Sequence, residues 1–159
     1  MTEPHELQAL AMELIDSQST MALATAQKDT AWAAPVYYAF HQGGFYFFSA
    51  PDARHILEAL ENTQAAATIY PFVSSWQDIR GIQMSGRIQK VGPGLRAVQA
   101  LRVYMEKYPF TREFFEPGLE LDLENFVKRF RVRLYRFDPK QVFYLDNKIR
   151  FGFREAVQL

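Results

Sequence analysis

Apolar residues at Leu7, Leu10, Ala11, Leu14 and Ile15 share one face of a 3.6-residue period, behind Pro4 and ahead of Asp16 and Ser17. This spacing predicts a packing helix at the start of the chain. The period then shortens to two. Residues 20–26 and 31–40 read as strands around the turn Gln27, Lys28, Asp29, Thr30, and the second strand carries Trp32, Val36, Tyr37, Tyr38 and Phe40. Pro35 has no N–H to give to a ladder, so this strand belongs at a sheet edge or a bulge, with backbone groups left for a ligand. After the turn through Gly43 and Gly44, four aromatics in a row, Phe45, Tyr46, Phe47 and Phe48, predict a short strand buried on both faces.

Pro51 stops that strand, and Asp52 is the predicted N-cap of a helix running to Asn62 with Ile56, Leu57 and Leu60 inside. Glu58 and Glu61 on the same helix read as a solvated face. Residues 65–70 form a strand of small and β-branched side chains ended by Pro71, and residues 72–78 form a polar loop holding Trp76. Residues 79–91 alternate as a long strand in which Gly81 and Gly86 mark a close approach or a bulge. Beyond Gly92, Pro93 and Gly94, the residues Leu95, Val98, Leu101, Met105 and Tyr108 recur at helical spacing up to Pro109. Residues 110–125 show no clear period. From Phe126 the pattern reads as a strand to Phe137, with Lys128, Arg129, Arg131, Arg133 and Arg136 as its polar positions. A turn at residues 138–141 and a last strand at 142–145 follow. About seven strands with three helices attached predict a mainly β protein, a small antiparallel barrel with helices at its ends.

A length of 159 residues, 48% of them hydrophobic, suits one well-filled domain over residues 1–159. Lys plus Arg (18) balances Asp plus Glu (18), so no bulk field draws nucleic acid or anionic lipid. With no cysteine there is no thiolate nucleophile, disulfide framework or cysteine-held metal. The acidic N-terminus and the lack of a long apolar run lead us to expect a cytoplasmic protein with no membrane partner.

The chemistry concentrates where the aromatic strand meets the helix. A helix start exposes free N–H groups and a positive dipole end, and here it is flanked by the Ser49 hydroxyl, Arg54 and His55. A phosphate would find several donors at once; the same residues also suit a solvated first turn. His5, His41 and His55 lie on separate elements without metal-ligand spacing. Arg129, Arg131 and Arg133 put three guanidiniums on one side of the predicted strand, a face that could meet a phosphate but that more readily pairs with the protein's own acids.

The strand order, with Ala34-Pro35-Val36-Tyr37-Tyr38, Phe45-Tyr46-Phe47-Phe48-Ser49, Arg54-His55 and Ile79-Arg80-Gly81-Ile82-Gln83-Met84-Ser85-Gly86-Arg87, resembles the pyridoxamine-phosphate-oxidase-like flavin split-barrel family. The endings Asp146-Asn147 and Phe151-Gly152-Phe153 are similar to a little-characterised bacterial branch, and the likeness spans residues 21–153. The resemblance implies a six-stranded antiparallel Greek-key split barrel, a homodimer with FMN in two clefts between subunits, and flavin-dependent oxidoreduction of a small-molecule substrate. It places Ser49, Arg54 and His55 on the flavin phosphate. It runs Pro35, Val36, Tyr37 and Tyr38 beside the ring or ribityl chain, and sets Arg80 and Gly81 facing the ring from across the interface. The chain departs from relatives at His55, where many carry lysine, and at Ala33 and Tyr38, where the vitamin-processing oxidases carry basic residues; those oxidases also carry a glutamine near Gly81. Each missing charge-assisted hydrogen bond is worth about 1.5–3 kcal/mol. The resemblance therefore implies FMN bound weakly or lost unless Arg80, Arg87 or the basic residues Arg129, Arg131 and Arg133 compensate, and because the substrate-phosphate residues of the vitamin oxidase are not recognisable here, it does not imply pyridoxamine phosphate oxidase activity. The alternative is a flavin-free split-barrel dimer that holds haem, a deazaflavin or another flat or anionic ligand, or that serves as an interaction module.

Overall fold

The computed structural model describes residues 3–114 and 123–159. Helix α1 (Pro4–Ser17) starts with Pro4 in its first turn and a reciprocal capping box between Glu3 and Glu6, and it buries Leu7, Ala11, Leu14 and Ile15 as its period requires. The strands are β1 (Thr20–Gln27), β2 (Thr30–Tyr37), β3 (Ala39–His41), β4 (Gly44–Ser49), β5 (Gln64–Ile69), β6 (Arg80–Lys90), β7 (Arg133–Asp146) and β8 (Arg154–Ala156). Helix α2 (Arg54–Asn62) joins β4 to β5, while α3 (Leu95–Lys107) and α4 (Leu123–Phe130) lie between β6 and β7.

All strand pairings are antiparallel, in the order β2-β1-β5-β6-β7-β4-β3, with β8 added to β7. The two ends of this path are consecutive in the chain, separated by Tyr38 alone. The sheet is thereby curled round on itself. Counted as one bent strand, β2 and β3 bring the barrel path to the six strands of a split barrel. Consecutive β5, β6 and β7 are antiparallel neighbours, and β4 returns to pair with β7, which gives the Greek key. The predicted strand 31–40 breaks because Tyr38 turns into the core. Its N–H donates to the Ser19 carbonyl at 3.2 Å and its own carbonyl accepts from the Tyr108 hydroxyl. Its hydroxyl donates to the Ile15 carbonyl at 2.6 Å.

Two further expectations are corrected. Residues 126–130 belong to α4, because Leu123, Phe126, Val127 and Phe130 repeat at three and four, and Arg131 leaves the helix at a φ of 54°. Arg129, Arg131 and Arg133 therefore lie on a helix, a turn and a strand end, not on one strand face. The predicted turn at 138–141 is a bulge inside the continuous strand β7: Ser85 faces Gln141, Gly86 faces Pro139, and the register shifts between them. Only glycine fits there, since a Cβ on Gly86 would lie 2.1 Å from the Asp138 carbonyl oxygen. The unplaced segment 110–125 resolves into a 3-10 stretch, Pro109–Phe114, and the start of α4; residues 115–122 lie outside the described residues.

The barrel interior holds Phe45, Phe47, Ile82, Met84, Tyr135, Phe137 and Tyr144, closed at one end by α1. The outer face of β4 and β7 is covered by α3 and α4, through Ala97 and Ala100 on Tyr46 and Leu134, and through Tyr104 and Phe126 on Phe48. No described helix covers the outer face of β2, β1, β5 and β6. It presents the cross-strand rows Pro35, Ala22, Thr68, Gln83 and Ala33, Ala24, Ala66, Ser85, all half-buried or exposed.

Candidate functional site

The end of β4 and the start of α2 form the candidate site. Phe45 and Phe47 face the barrel core, which carries Ser49 to the strand end, where it is 8% exposed and pairs with Arg133. Asp52 does not cap α2. The N-cap is Ala53, whose side chain makes no capping bond, and Asp52 sits in the preceding turn. Ala53 N–H donates to Ala50 O, and Ile56 and Leu57 N–H both donate to Ala53 O, whereas the N–H groups of Arg54 and His55 have no backbone partner among the described residues. This is the feature that favours an anion: free donors on a positive helix end.

Two side-chain groups flank this helix start, Ser49 with His55 and Arg54 with Glu58. Ser49 Oγ lies 2.8 Å from His55 Nε2. Arg54 Nε donates to Glu58 Oε1 at 2.7 Å, and Thr25 Oγ1 on β1 donates to Glu58 Oε2 at 2.7 Å. The Arg54 guanidinium lies 4.4 Å from the ring centre of Trp32 on β2, a cation–π contact. Among the described residues its two terminal nitrogens have no hydrogen-bond partner. Glu58, read from the sequence as solvated, is 3% exposed, while Leu57 and Leu60 of the predicted inner face are 56% and 43% exposed. The helix is rotated so that Ile56, Glu58 and Ala59 point inward. Glu58 and Trp32 are the site residues that sequence reasoning missed. Only the spacing of four between Arg54 and Glu58 hinted at the first of them.

Two shifts follow from this packing. The Arg54 hydrogen bond, backed by the Thr25 hydroxyl, holds the Glu58 carboxyl below the usual carboxylate range. Burial pushes His55 below its ordinary 6.5, against the pull of Glu58. His55 is a base with a depressed folded value, so the unfolded chain takes up its proton first as the pH falls. The fold should therefore lose stability from about pH 6.5 downward, through the window above the carboxylate range. His55→Gln should flatten that limb in melting curves taken between about pH 7.5 and 5.5. An unchanged limb would assign the loss to other groups.

The remaining candidate residues are spread out. Pro35 lies on β2, the outermost strand, as its missing N–H requires, and faces outward with the half-exposed Tyr37, while Val36 points inward. Tyr38 is fully buried, with its backbone and hydroxyl all engaged. Arg80 and Gly81 lie at the opposite end of the β6–β7 ribbon. Lys90 faces Tyr135, two residues from the partner of Ser49, and Arg80 is ten residues, roughly 30 Å, farther along. There Arg80 approaches Glu13 at 3.9 Å, and a Cβ on Gly81 would meet the Ile69 carbonyl oxygen at 3.0 Å. One chain alone does not bring them to Ser49. Among the described residues no three His, Cys, Asp or Glu side chains could hold a metal together, and no helix is long and apolar enough to cross a membrane.

Comparison with known proteins agrees with this architecture. A UPF0306 protein of Klebsiella pneumoniae (strain 342) is 23% identical over 140 residues, covering 87% of this chain and 84% of that one. A solved heme binding protein of Mycobacterium smegmatis superposes with a TM-score of 0.73 at 14% identity, over 99% of this chain and 60% of its own. An FAD-binding protein of Mesorhizobium loti gives a TM-score of 0.61 at 18% identity, over 84% of this chain and 90% of its own. The sequence profile described as pyridoxamine 5'-phosphate oxidase matches residues 7–146, from the first buried leucine of α1 to the end of β7. By that match and by its curled antiparallel barrel, the chain belongs to the pyridoxamine 5'-phosphate oxidase family.

Proposed function

We propose that this protein is a homodimer that binds FMN and uses it for oxidoreduction of a small substrate. The uncapped start of α2 carries this reading: on one helix start it offers the free N–H groups of Arg54 and His55, with the Ser49 hydroxyl and the open fork of Arg54 beside them. A phosphate monoester fits that donor set. The flavin would supply the electron-accepting ring, and the chain would supply placement. The flat edge of β2 from Ala33 to Tyr37 would lie along the ring system, and Pro35 keeps that edge free of a further strand.

The uncovered rows of small residues on β2, β1, β5 and β6 support a second copy as the missing cover. Such a face packs closely against its own two-fold copy, and a two-fold there would carry Arg80 and Gly81 toward the partner's cleft. An obligate interface of this kind buries more than about 2,000 Å² in total.

The absorption spectrum of purified protein tests the proposal, followed by light scattering on dilution. The expected result is a flavin spectrum, native or after adding FMN, with cofactor release and dissociation at the same protein concentration. A colourless protein that takes up no FMN overturns the reading. A Soret band in its place would assign the cleft to haem, the ligand named for the Mycobacterium smegmatis structure. A monomer that keeps its FMN would overturn the shared cleft and the role of Arg80.

A further inference from the structure

A buried carboxylate beside an anion site is an uncommon neighbour. Glu58 is 3% exposed and lies one helical turn from Arg54, yet both of its oxygens are engaged, one by Arg54 Nε and one by Thr25 Oγ1, each at 2.7 Å. Thr25 belongs to β1, so the carboxylate is tied to the barrel wall and not only to its own helix. The Arg54 side chain, 44% exposed, is held by Nε on one side and by the face of Trp32 on the other. Among the described residues only its two terminal nitrogens remain open. The pair faces a cavity of about 450 Å³ whose charged lining is two cations, Lys28 and Arg54, and two anions, Asp52 and Glu58. His55 and Ser49 do not line this cavity.

We propose that Glu58 positions Arg54 and sets the specificity of the cradle. It aims the guanidinium's terminal nitrogens at the ligand, and it offsets the guanidinium's charge, so that a phosphate monoester is held by the oriented guanidinium fork and the neutral donors and not by an excess of positive charge. The proposal rests on the FMN reading of the cleft. It makes the site a deliberately moderate binder of phosphate, one that discriminates against small polyanions lacking the flat ring.

Two variants separate the roles. Glu58→Gln keeps groups able to bond Arg54 and Thr25 but removes the negative charge; Glu58→Ala removes both. FMN and phosphate-free riboflavin are titrated into wild type and both variants, with binding read by flavin fluorescence. Glu58→Gln is expected to tighten FMN about tenfold, the size of one unit charge several ångströms from the phosphate in a partly solvated site. Glu58→Ala is expected to bind FMN about tenfold more weakly than Glu58→Gln, since Arg54 is then free to wander. Riboflavin affinity is expected to stay constant throughout, which a merely structural role for Glu58 would not allow. FMN binding no tighter in Glu58→Gln than in wild type overturns the charge role, and equal binding in Gln and Ala variants overturns the positioning role. If Glu58→Ala does not fold, Arg54→Lys in the Glu58→Gln background replaces it: the fork is lost with the charge kept, and FMN binding that stays at the Glu58→Gln level overturns positioning. If wild type and Arg54→Ala bind FMN alike, the cradle reading itself has failed.

Discussion

Arg54→Ala is expected to weaken FMN binding by roughly tenfold to a hundredfold, the equivalent of losing one charge-assisted hydrogen bond of about 1.5–3 kcal/mol. The size follows from the geometry. Among the described residues no other cation lies on this helix start, and the fork left open by Glu58 is the strongest donor the cradle has. Free N–H groups and Ser49 remain in the variant, so binding should fall without vanishing. The variant also loses stability, because the Glu58 carboxylate keeps only Thr25 as a partner. Titrations are therefore made well below the melting temperature. Adding Glu58→Gln to the alanine variant should restore the melt without restoring the arginine's contribution to binding. An FMN titration curve for Arg54→Ala that overlays wild type would remove the arginine from the site.

Tyr38→Ala should cost about 4 kcal/mol of folding free energy, in the range for removing a large buried ring. For a chain of this length that lowers the melting temperature by roughly 10 °C. Three contacts make this residue the clasp of the barrel. Its ring packs edge-on against Phe45 at 5.4 Å, Lys107 Nζ lies 4.0 Å from its ring centre, and its hydroxyl binds the Ile15 carbonyl on α1. It is also the single residue between the two ends of the strand path, so a cavity there loosens β2 from β3 where the curl closes. Tyr38→Phe keeps the ring and should cost about 1 kcal/mol, the share of one buried hydrogen bond. Calorimetry of the two variants checks the division. Similar small losses in both would place the closure elsewhere.

Most elements were legible because their evidence is local. Pro4 with the leucine face announced α1, four contiguous aromatics announced β4, and Pro35 announced an edge strand before any pairing was known. The junction of β4 with α2 was legible for the same reason: Ser49, Arg54 and His55 stand within seven positions, and a strand ending where a helix begins needs no distant partner to be read. The failures also have local causes. Phe126 to Phe130 satisfies both an alternating and a helical period, and the longer repeat through Leu123 decides for the helix. Asp52 is a good cap by composition, but the turn after Pro51 brings Ala53 to the N-cap position instead.

By itself the chain determined most of the elements up to α3, their order, and the residues at the head of α2, since each depends on neighbours a few residues away. Tertiary structure alone decided which face each element shows. Glu58 became a buried partner of Arg54 only because β1 delivers Thr25 from 33 positions earlier, and Arg54 gained its aromatic support only because the β1–β2 hairpin lays Trp32 over it. The closure at Tyr38 needed the whole strand path, and the open face of Ala22, Ala24, Ala66 and Ala33 exists only once β5 has been placed beside β1. Periodicity tells a residue whether it has an inside. Long-range pairing is what chooses where that inside is.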